Sequence, residues 1–173
     1  MKPTTIFIGL LLLFGNNLAM AQKEIVPSAA LEITGAIQEK VVLDLSVLKA
    51  MKDSVYGDKV LVNHKGEIRD TLRDIHGIPL TRILENVNYK FDQARELSRF
   101  VFILKATDGY TVAISWNELY NSSHGQSFCI ISSADGVKMA DMKNRIAFIA
   151  FDDLISGRRF VKSLKYIDVK KLD

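Results

Sequence analysis

Three cationic side chains near the C-terminus form the cluster in this sequence that is best suited to chemistry with an anion. Arg158, Arg159 and Lys162 follow Gly157 within five residues. Arginine presents a planar fork of N–H donors that matches the oxygens of a phosphate or a carboxylate. The cluster lies between two segments, 146–151 and 164–169, whose apolar residues are typical of strands. We predict a rigid loop that binds a small anion.

A purely structural interpretation of this cluster stays open. Asp152 and Asp153 lie shortly before it, and cations beside carboxylates are commonly surface ion pairs that contribute little free energy. On that interpretation the cations pair with the two aspartates in a solvated turn beside an edge strand.

The remaining polar residues indicate no catalytic or metal site. His64, His76 and His124 lack the i, i+4 spacing and the cysteine partners of a zinc site. The sequence contains neither a glycine-x-serine-x-glycine elbow nor a glycine-rich phosphate loop. Asp108 is explained by turn chemistry, and Tyr110 is predicted to pack on the fold. Trp116 is predicted to cover the sheet, with the wall of a ligand cleft as the alternative. We therefore assign no catalytic residue and no metal ligand.

The first 21 residues are typical of a secretory signal peptide. One basic residue, Lys2, precedes the apolar run 6–14, and Ala19-Met20-Ala21 forms the small-x-small pattern of a cleavage site. The apolar run is shorter than the 20 or so residues that a transmembrane helix needs. We predict export to the periplasm or the extracellular space, with residues 22–173 as one mature domain that has no transmembrane segment.

Charge and cysteine content restrict the class of protein further. Removal of Lys2 lowers the formal net charge from +3 to +2, so the mature chain lacks the strongly basic character of a nucleic-acid binder. Cys129 is the only cysteine, which excludes an internal disulfide. It lies in an apolar run, and we predict that it is buried in a core strand.

Short strand-like runs outnumber the predicted helices and indicate a mixed, largely β, α+β domain. The clearest signal is a β-hairpin in which Asp108-Gly109 joins the runs 100–107 and 110–115. Ser46 and Ser115 are predicted to cap short helices at 47–52 and 116–120. Proline at the first turn predicts another helix whose buried stripe is Leu80, Ile83, Leu84 and Val87.

Four stretches in this order resemble the molybdopterin-binding domain of the sulfite oxidase family. They are LEITGAIQEKVVLDLSVLKAM (31–51), GEIRDTLRDIHGIPLTRILENV (66–87), ATDGYTVAISWNEL (106–119) and RIAFIAFDDLISGRRFVKSLKYIDV (145–169). The resemblance spans roughly residues 29–169. It implies that the closing basic segment lies beside the phosphate of the cofactor. It also implies that His76, at the beginning of the second predicted helix, lines the same pocket, so His76 becomes the fourth candidate ligand-binding residue.

Two features depart from the active members that this sequence resembles. In those members a cysteine thiolate from the segment after the third strand ligates molybdenum, but here that segment, 60–66, contains no cysteine. Exported members carry a twin-arginine leader, because the cofactor is loaded before export, and this leader has no arginine pair. Both departures favour a chain that has the fold without the metal.

Two hypotheses about function follow. The first is an exported, non-catalytic binding module without a metal cofactor, in which Arg158, Arg159, Lys162 and His76 bind a small anionic ligand or a partner protein. The second is a divergent molybdopterin-dependent oxidoreductase that acts on a small oxyanion or oxide. The sequence alone leaves open whether the chain is an enzyme.

Overall fold

The computed structural model describes residues 25–173, and the predicted signal peptide, residues 1–21, lies outside the described residues. The strands are β1 (Ala30–Gly35), β2 (Val41–Asp44), β3 (Ser54–Val62), β4 (Ile68–Pro79), β5 (Phe100–Ala106), β6 (Thr111–Ser115), β7 (Phe128–Ala134), β8 (Val137–Lys138), β9 (Phe148–Ala150), β10 (Phe160–Val161) and β11 (Leu164–Lys171). The helices are α1 (Leu45–Ala50), α2 (Leu80–Ile83) and α3 (Trp116–Tyr120), with 3-10 turns at Ala94–Arg99, Ser123–Ser127 and Ser156–Arg159. The predicted mixed, largely β, α+β class is confirmed.

Two sheets organise the described chain. The first has the order β2-β1-β11-β5-β6, and the second has the order β10-β9-β7-β4-β3, with β8 paired to β7. β1 pairs with β11 in parallel, whereas the other neighbours are antiparallel. β3 is therefore an edge strand of the second sheet, and its free edge is available to the loop that carries the basic cluster.

The inward faces of both sheets form one apolar core. Its largest fully buried side chains include Phe100 and Phe102 from β5, Phe128 from β7 and Phe148 from β9. A smaller second core lies on the other face of the second sheet and contains Cys129, Ile131 and Ile149. Because β7 and β9 are covered on both faces, residues 128–131 and 148–150 are continuously apolar and lack the alternation of a half-exposed strand.

The local predictions with specific turn or cap chemistry are confirmed. β5 and β6 form the predicted hairpin, with Gly109 at a φ of +94°. Ser115 caps α3 through a capping box with Glu118. Cys129 is fully buried, and Trp116 covers the edge of the first core, where it stacks on Phe102.

Two of the predicted helices differ from the observed ones. α1 is capped by Asp44, not by Ser46, because the Asp44 carboxylate accepts hydrogen bonds from the backbone N–H groups of Ser46 and Val47. The helix predicted after Pro79 is reduced to the four residues of α2, although Leu80, Ile83, Leu84 and Val87 are all buried as expected. The chain before Pro79 stays extended in β4 because it pairs with β7. None of the helices among residues 25–173 is long and apolar enough to cross a membrane.

Candidate anion-binding cleft

The basic loop, residues 152–162, faces a cleft of about 720 Å³ that we call the basic cleft. Arg158 and Lys162 line it on the loop side, and Asn63 and His64, in the turn between β3 and β4, line it as well. The structure thus brings two of the predicted anion-binding residues to the segment that follows β3. The resemblance to the sulfite oxidase family implies that both segments lie beside the cofactor, one at its phosphate and the other at its metal.

A buried serine fixes the basic loop to the free edge of β3. Ser156 is fully buried, and its Oγ accepts a hydrogen bond from the backbone N–H of Val62 at 2.9 Å while donating to the backbone oxygen of Val60 at 3.0 Å. The next residue, Gly157, is so close to this strand that a Cβ atom there would lie 2.7 Å from the backbone oxygen of Val62. The free edge of β3 is therefore hydrogen-bonded to this loop at the Val62 N–H and the Val60 oxygen. These two bonds and the close approach of Gly157 set the position of Arg158.

The hairpin between β5 and β6 supports the loop from the other side. The Tyr110 hydroxyl donates a hydrogen bond of 2.6 Å to the backbone oxygen of Arg158. The Asp108 carboxylate in turn accepts a hydrogen bond of 2.8 Å from the backbone N–H of Tyr110. Tyr110 is thus a positioning residue in the wall of the basic cleft, a role that goes beyond the predicted packing.

The charges that line the basic cleft leave two cations available. Arg69 is paired with Glu67 at 2.9 Å, and the carboxylates of Asp70 and Asp108 also line the cleft. Among residues 25–173, no carboxylate lies within salt-bridge distance of Arg158 or Lys162. Both side chains are exposed, and the Lys162 ammonium lies 5.4 Å from the centre of the Phe160 ring. The cleft can therefore offer a guanidinium and an ammonium to an incoming anion.

Arg159 has a different environment from its neighbour Arg158. Its guanidinium forms a bidentate ion pair with the Asp153 carboxylate, through hydrogen bonds of 2.8 and 2.6 Å, and donates a third hydrogen bond of 3.0 Å to the Glu118 carboxylate. It also lies 4.9 Å from the centre of the buried Phe128 ring. Hydrogen bonding to Asp153 raises the pKa of Arg159. Arg159 thus holds the basic loop to α3, so the structural interpretation fits this cation and the binding interpretation fits Arg158 and Lys162.

His76 also lies away from the basic cleft. It belongs to β4, where its Nδ1 is 4.0 Å from an Asp53 oxygen and its Nε2 is 3.5 Å from an Asp74 oxygen. Asp53 additionally accepts a hydrogen bond from the Ser132 hydroxyl. Because the chain at His76 is a strand and not the beginning of a helix, its side chain faces two carboxylates, which are unsuitable neighbours for an anion.

The donor atoms of this chain do not match thiolate ligation of molybdenum. Cys129, the only cysteine, lies in the second core, and a Cβ at Gly77 would be 2.7 Å from its Sγ. Burial raises the pKa of the Cys129 thiol to about 12, so at neutral pH it is a thiol and not the thiolate that ligates metals. Asn63, in the segment 60–66 where the resemblance places the ligand, uses its side chain in the turn by bonding to Lys65 and Glu67.

The comparisons with known proteins identify a distant fold relationship. The architecture is a mixed, largely β, α+β domain with a basic cleft beside an edge strand. No family model matches the chain, and no curated protein matches it significantly. Among solved structures it is similar to the sulfane dehydrogenase SoxCD from Paracoccus pantotrophus, with a TM-score of 0.56, 10% sequence identity, and coverage of 81% of this chain and 37% of that chain.

At this identity the similarity shows the fold alone, and the chain spans little more than a third of that neighbour's length. The observed architecture is consistent with the sulfite oxidase-like fold that the sequence resembles. Membership of that family, the roles of individual residues, export and the cofactor stay predictions.

Proposed function

We propose that this chain is an exported, non-catalytic binding module that holds a small anionic ligand in the basic cleft through Arg158 and Lys162. The observation that carries the proposal is the difference between two adjacent arginines. Arg159 is fully engaged with Asp153 and Glu118, whereas Arg158 has no carboxylate partner among the described residues and lines the cleft. Lys162 is exposed and lines the same cleft, so one ligand in the cleft has two cations available to it.

The rigid attachment of the basic loop supports binding. Ser156, Gly157 and Tyr110 fix the backbone on either side of Arg158. A site whose backbone is fixed before the ligand arrives loses less conformational entropy on binding than a free loop would. The signal-peptide pattern of residues 1–21 is the basis for the exported location in this proposal.

A divergent molybdopterin-dependent oxidoreductase is the second candidate, and the similarity to a sulfane dehydrogenase favours it. In that case Arg158 and Lys162 would hold the phosphate of the pterin, which is chemistry that the basic cleft can provide. Thiolate ligation of the metal would have to be absent, because Cys129 is buried in the second core. The non-catalytic module therefore remains our first candidate.

Titration with inorganic phosphate tests the proposed function. We expect the purified chain to bind phosphate with an affinity that falls as sodium chloride is raised, because ions screen exposed charges. Replacing both Arg158 and Lys162 with alanine should weaken phosphate binding by at least about tenfold, because the loss of even one hydrogen bond to a charged group lowers affinity by about that factor. Isothermal titration calorimetry at low ionic strength measures both effects.

Arg95→Ala is the matched control, because Arg95 is an exposed arginine outside the basic cleft. This variant should bind phosphate like the unmodified chain. Equal phosphate affinity in the unmodified chain and in the Arg158→Ala, Lys162→Ala double variant would refute the site assignment. A complete absence of phosphate binding to the unmodified chain would count against the proposed function itself.

A further inference from the structure

A second cavity of about 340 Å³, which we call the apolar pocket, adjoins the basic cleft. Leu72, Asn144 and Phe160 line both cavities, so they form the boundary between them. Two of these three boundary residues, Leu72 and Phe160, are half-buried apolar side chains. A ligand bound in the basic cleft would therefore meet apolar surface at the boundary with the second cavity.

Small side chains on the second sheet explain why this space is not filled. The second core includes Ala134 and Ala147, and both line the apolar pocket together with Ile131. Each alanine contributes a single side-chain carbon, so it leaves space above the sheet that a leucine would occupy. Met142 and Phe160 pack against this core but are only partly buried, so the cover over this face of the sheet is incomplete.

The charges around the two cavities are different in sign. The basic cleft is lined by three cations, Arg69, Arg158 and Lys162, and by two carboxylates, Asp70 and Asp108, so cations are in excess there. The apolar pocket has the carboxylates of Asp135 and Asp141 among its lining residues, with Lys143 as its one cation among the described residues. A negative group is thus attracted to the cleft and repelled from the pocket, which fixes the direction in which an elongated anion would lie.

We propose that the ligand is an amphipathic anion. Its oxyanion head is bound by Arg158 and Lys162, and its short apolar tail passes Phe160 into the apolar pocket. The proposal rests on the proposed anion-binding function and adds the chemical class of the ligand. A phosphate or a carboxylate would serve as the head, because both present oxygens to the same two cations.

A series of alkyl phosphates tests this inference on the unmodified chain. Methyl, propyl, butyl and hexyl phosphate carry the same head and differ only in the apolar tail. Each methylene group removed from water should tighten binding by up to about fourfold, until the pocket is full. Isothermal titration calorimetry of the four compounds, below their micellar concentrations, gives the dependence of affinity on chain length.

Two variants locate the tail. Ala147→Leu should fill the apolar pocket and flatten the dependence on chain length while leaving the affinity for methyl phosphate unchanged. Ala147 is buried, and the larger leucine would disturb folding if the sheet could not accommodate it. Met142→Gln, at a half-buried position, gives the same test by making the pocket polar without adding a charge. Arg158→Ala should weaken the binding of every member of the series by the same factor, because it acts on the head.

The outcomes separate this inference from the proposed function. Binding of methyl phosphate with no gain for longer tails would overturn the amphipathic ligand and leave the anion site in place. A gain with chain length that persists fully in both Ala147→Leu and Met142→Gln would overturn the apolar pocket as the location of the tail. If no member of the series binds, both the inference and the proposed function are wrong.

Discussion

Replacing Gly157 with alanine is expected to destabilise the chain by about 1–3 kcal/mol, the usual range for overpacking. The added Cβ would lie 2.7 Å from the backbone oxygen of Val62. A backbone oxygen in a paired strand cannot move aside as a flexible side chain does, so the basic loop must shift instead. That shift would stretch the two hydrogen bonds of Ser156 to β3, which are now 2.9 and 3.0 Å long.

The same substitution should weaken phosphate binding, because Gly157 immediately precedes Arg158. Urea unfolding measures the loss of stability, and calorimetric titration with phosphate measures the loss of affinity. Leu154→Ala is the control within the same loop: Leu154 is 94% exposed, so its truncation should change neither quantity. If Gly157→Ala unfolds at the same urea concentration as the unmodified chain, the loop is not held against β3 as described.

The second large effect is expected for Arg159→Ala, which should lower the free energy of unfolding by about 2 kcal/mol, the order of a hydrogen-bonded charged pair. The substitution removes the two bonds to Asp153, the bond to Glu118 and the contact with the Phe128 ring. The side chains of Arg159 and Asp153 are 25% and 20% exposed, so water replaces these bonds only in part.

Arg158→Ala is the matched control for this experiment. It also removes an arginine side chain, one position earlier, but Arg158 forms no ion pair with a carboxylate among residues 25–173. We expect it to change stability by less than about 0.5 kcal/mol and to weaken phosphate binding. Arg159→Ala should instead lower the stability and leave the phosphate affinity nearly unchanged. Similar stabilities and similar phosphate affinities in the two variants would contradict the division of roles between the adjacent arginines.

The effect of Arg159→Ala should depend on pH in the acid range. Burial alone would raise the pKa of Glu118, but hydrogen bonds from Ser115 and the nearby Arg159 guanidinium outweigh it and leave the pKa below its ordinary value of 4.5. A lowered carboxyl pKa contributes stability that is present above the unfolded pKa and is lost as the pH falls through the folded pKa. The stability difference between the unmodified chain and Arg159→Ala should therefore be constant near neutrality and narrow below about pH 4.5.

Local structure that depends on neighbouring residues is predictable from this sequence. The hairpin at Asp108-Gly109 and the Ser115 cap follow from turn and capping preferences that act over two to four residues. The burial of Cys129 follows from the apolar run around it. Even local rules failed where two candidates compete, as at α1, where the carboxylate of Asp44 caps the helix although Ser46 lies nearby.

The candidate site depends on contacts between distant parts of the chain, and the sequence alone did not specify them. Ser156 bonds to β3 across more than ninety residues, and Tyr110 bonds to Arg158 across 48. No spacing rule reveals such pairs, so the sequence does not distinguish Arg158 from Arg159. In the structure Arg159 pairs with Asp153, whereas Arg158 lines the cleft. The resemblance places His76 in the pocket at the beginning of a helix, but pairing of β4 with β7 keeps the chain extended at this residue.

The central claim is that this chain binds a small anion without a molybdenum cofactor, and the most direct test is its molybdenum and pterin content. The protein should be purified from the exported fraction of its native host, and molybdenum measured by elemental analysis, with pterin fluorescence measured after acid oxidation. Our account predicts far less than one molybdenum and one pterin per chain. Near-stoichiometric molybdenum with pterin would contradict it and would establish the divergent oxidoreductase as the leading hypothesis.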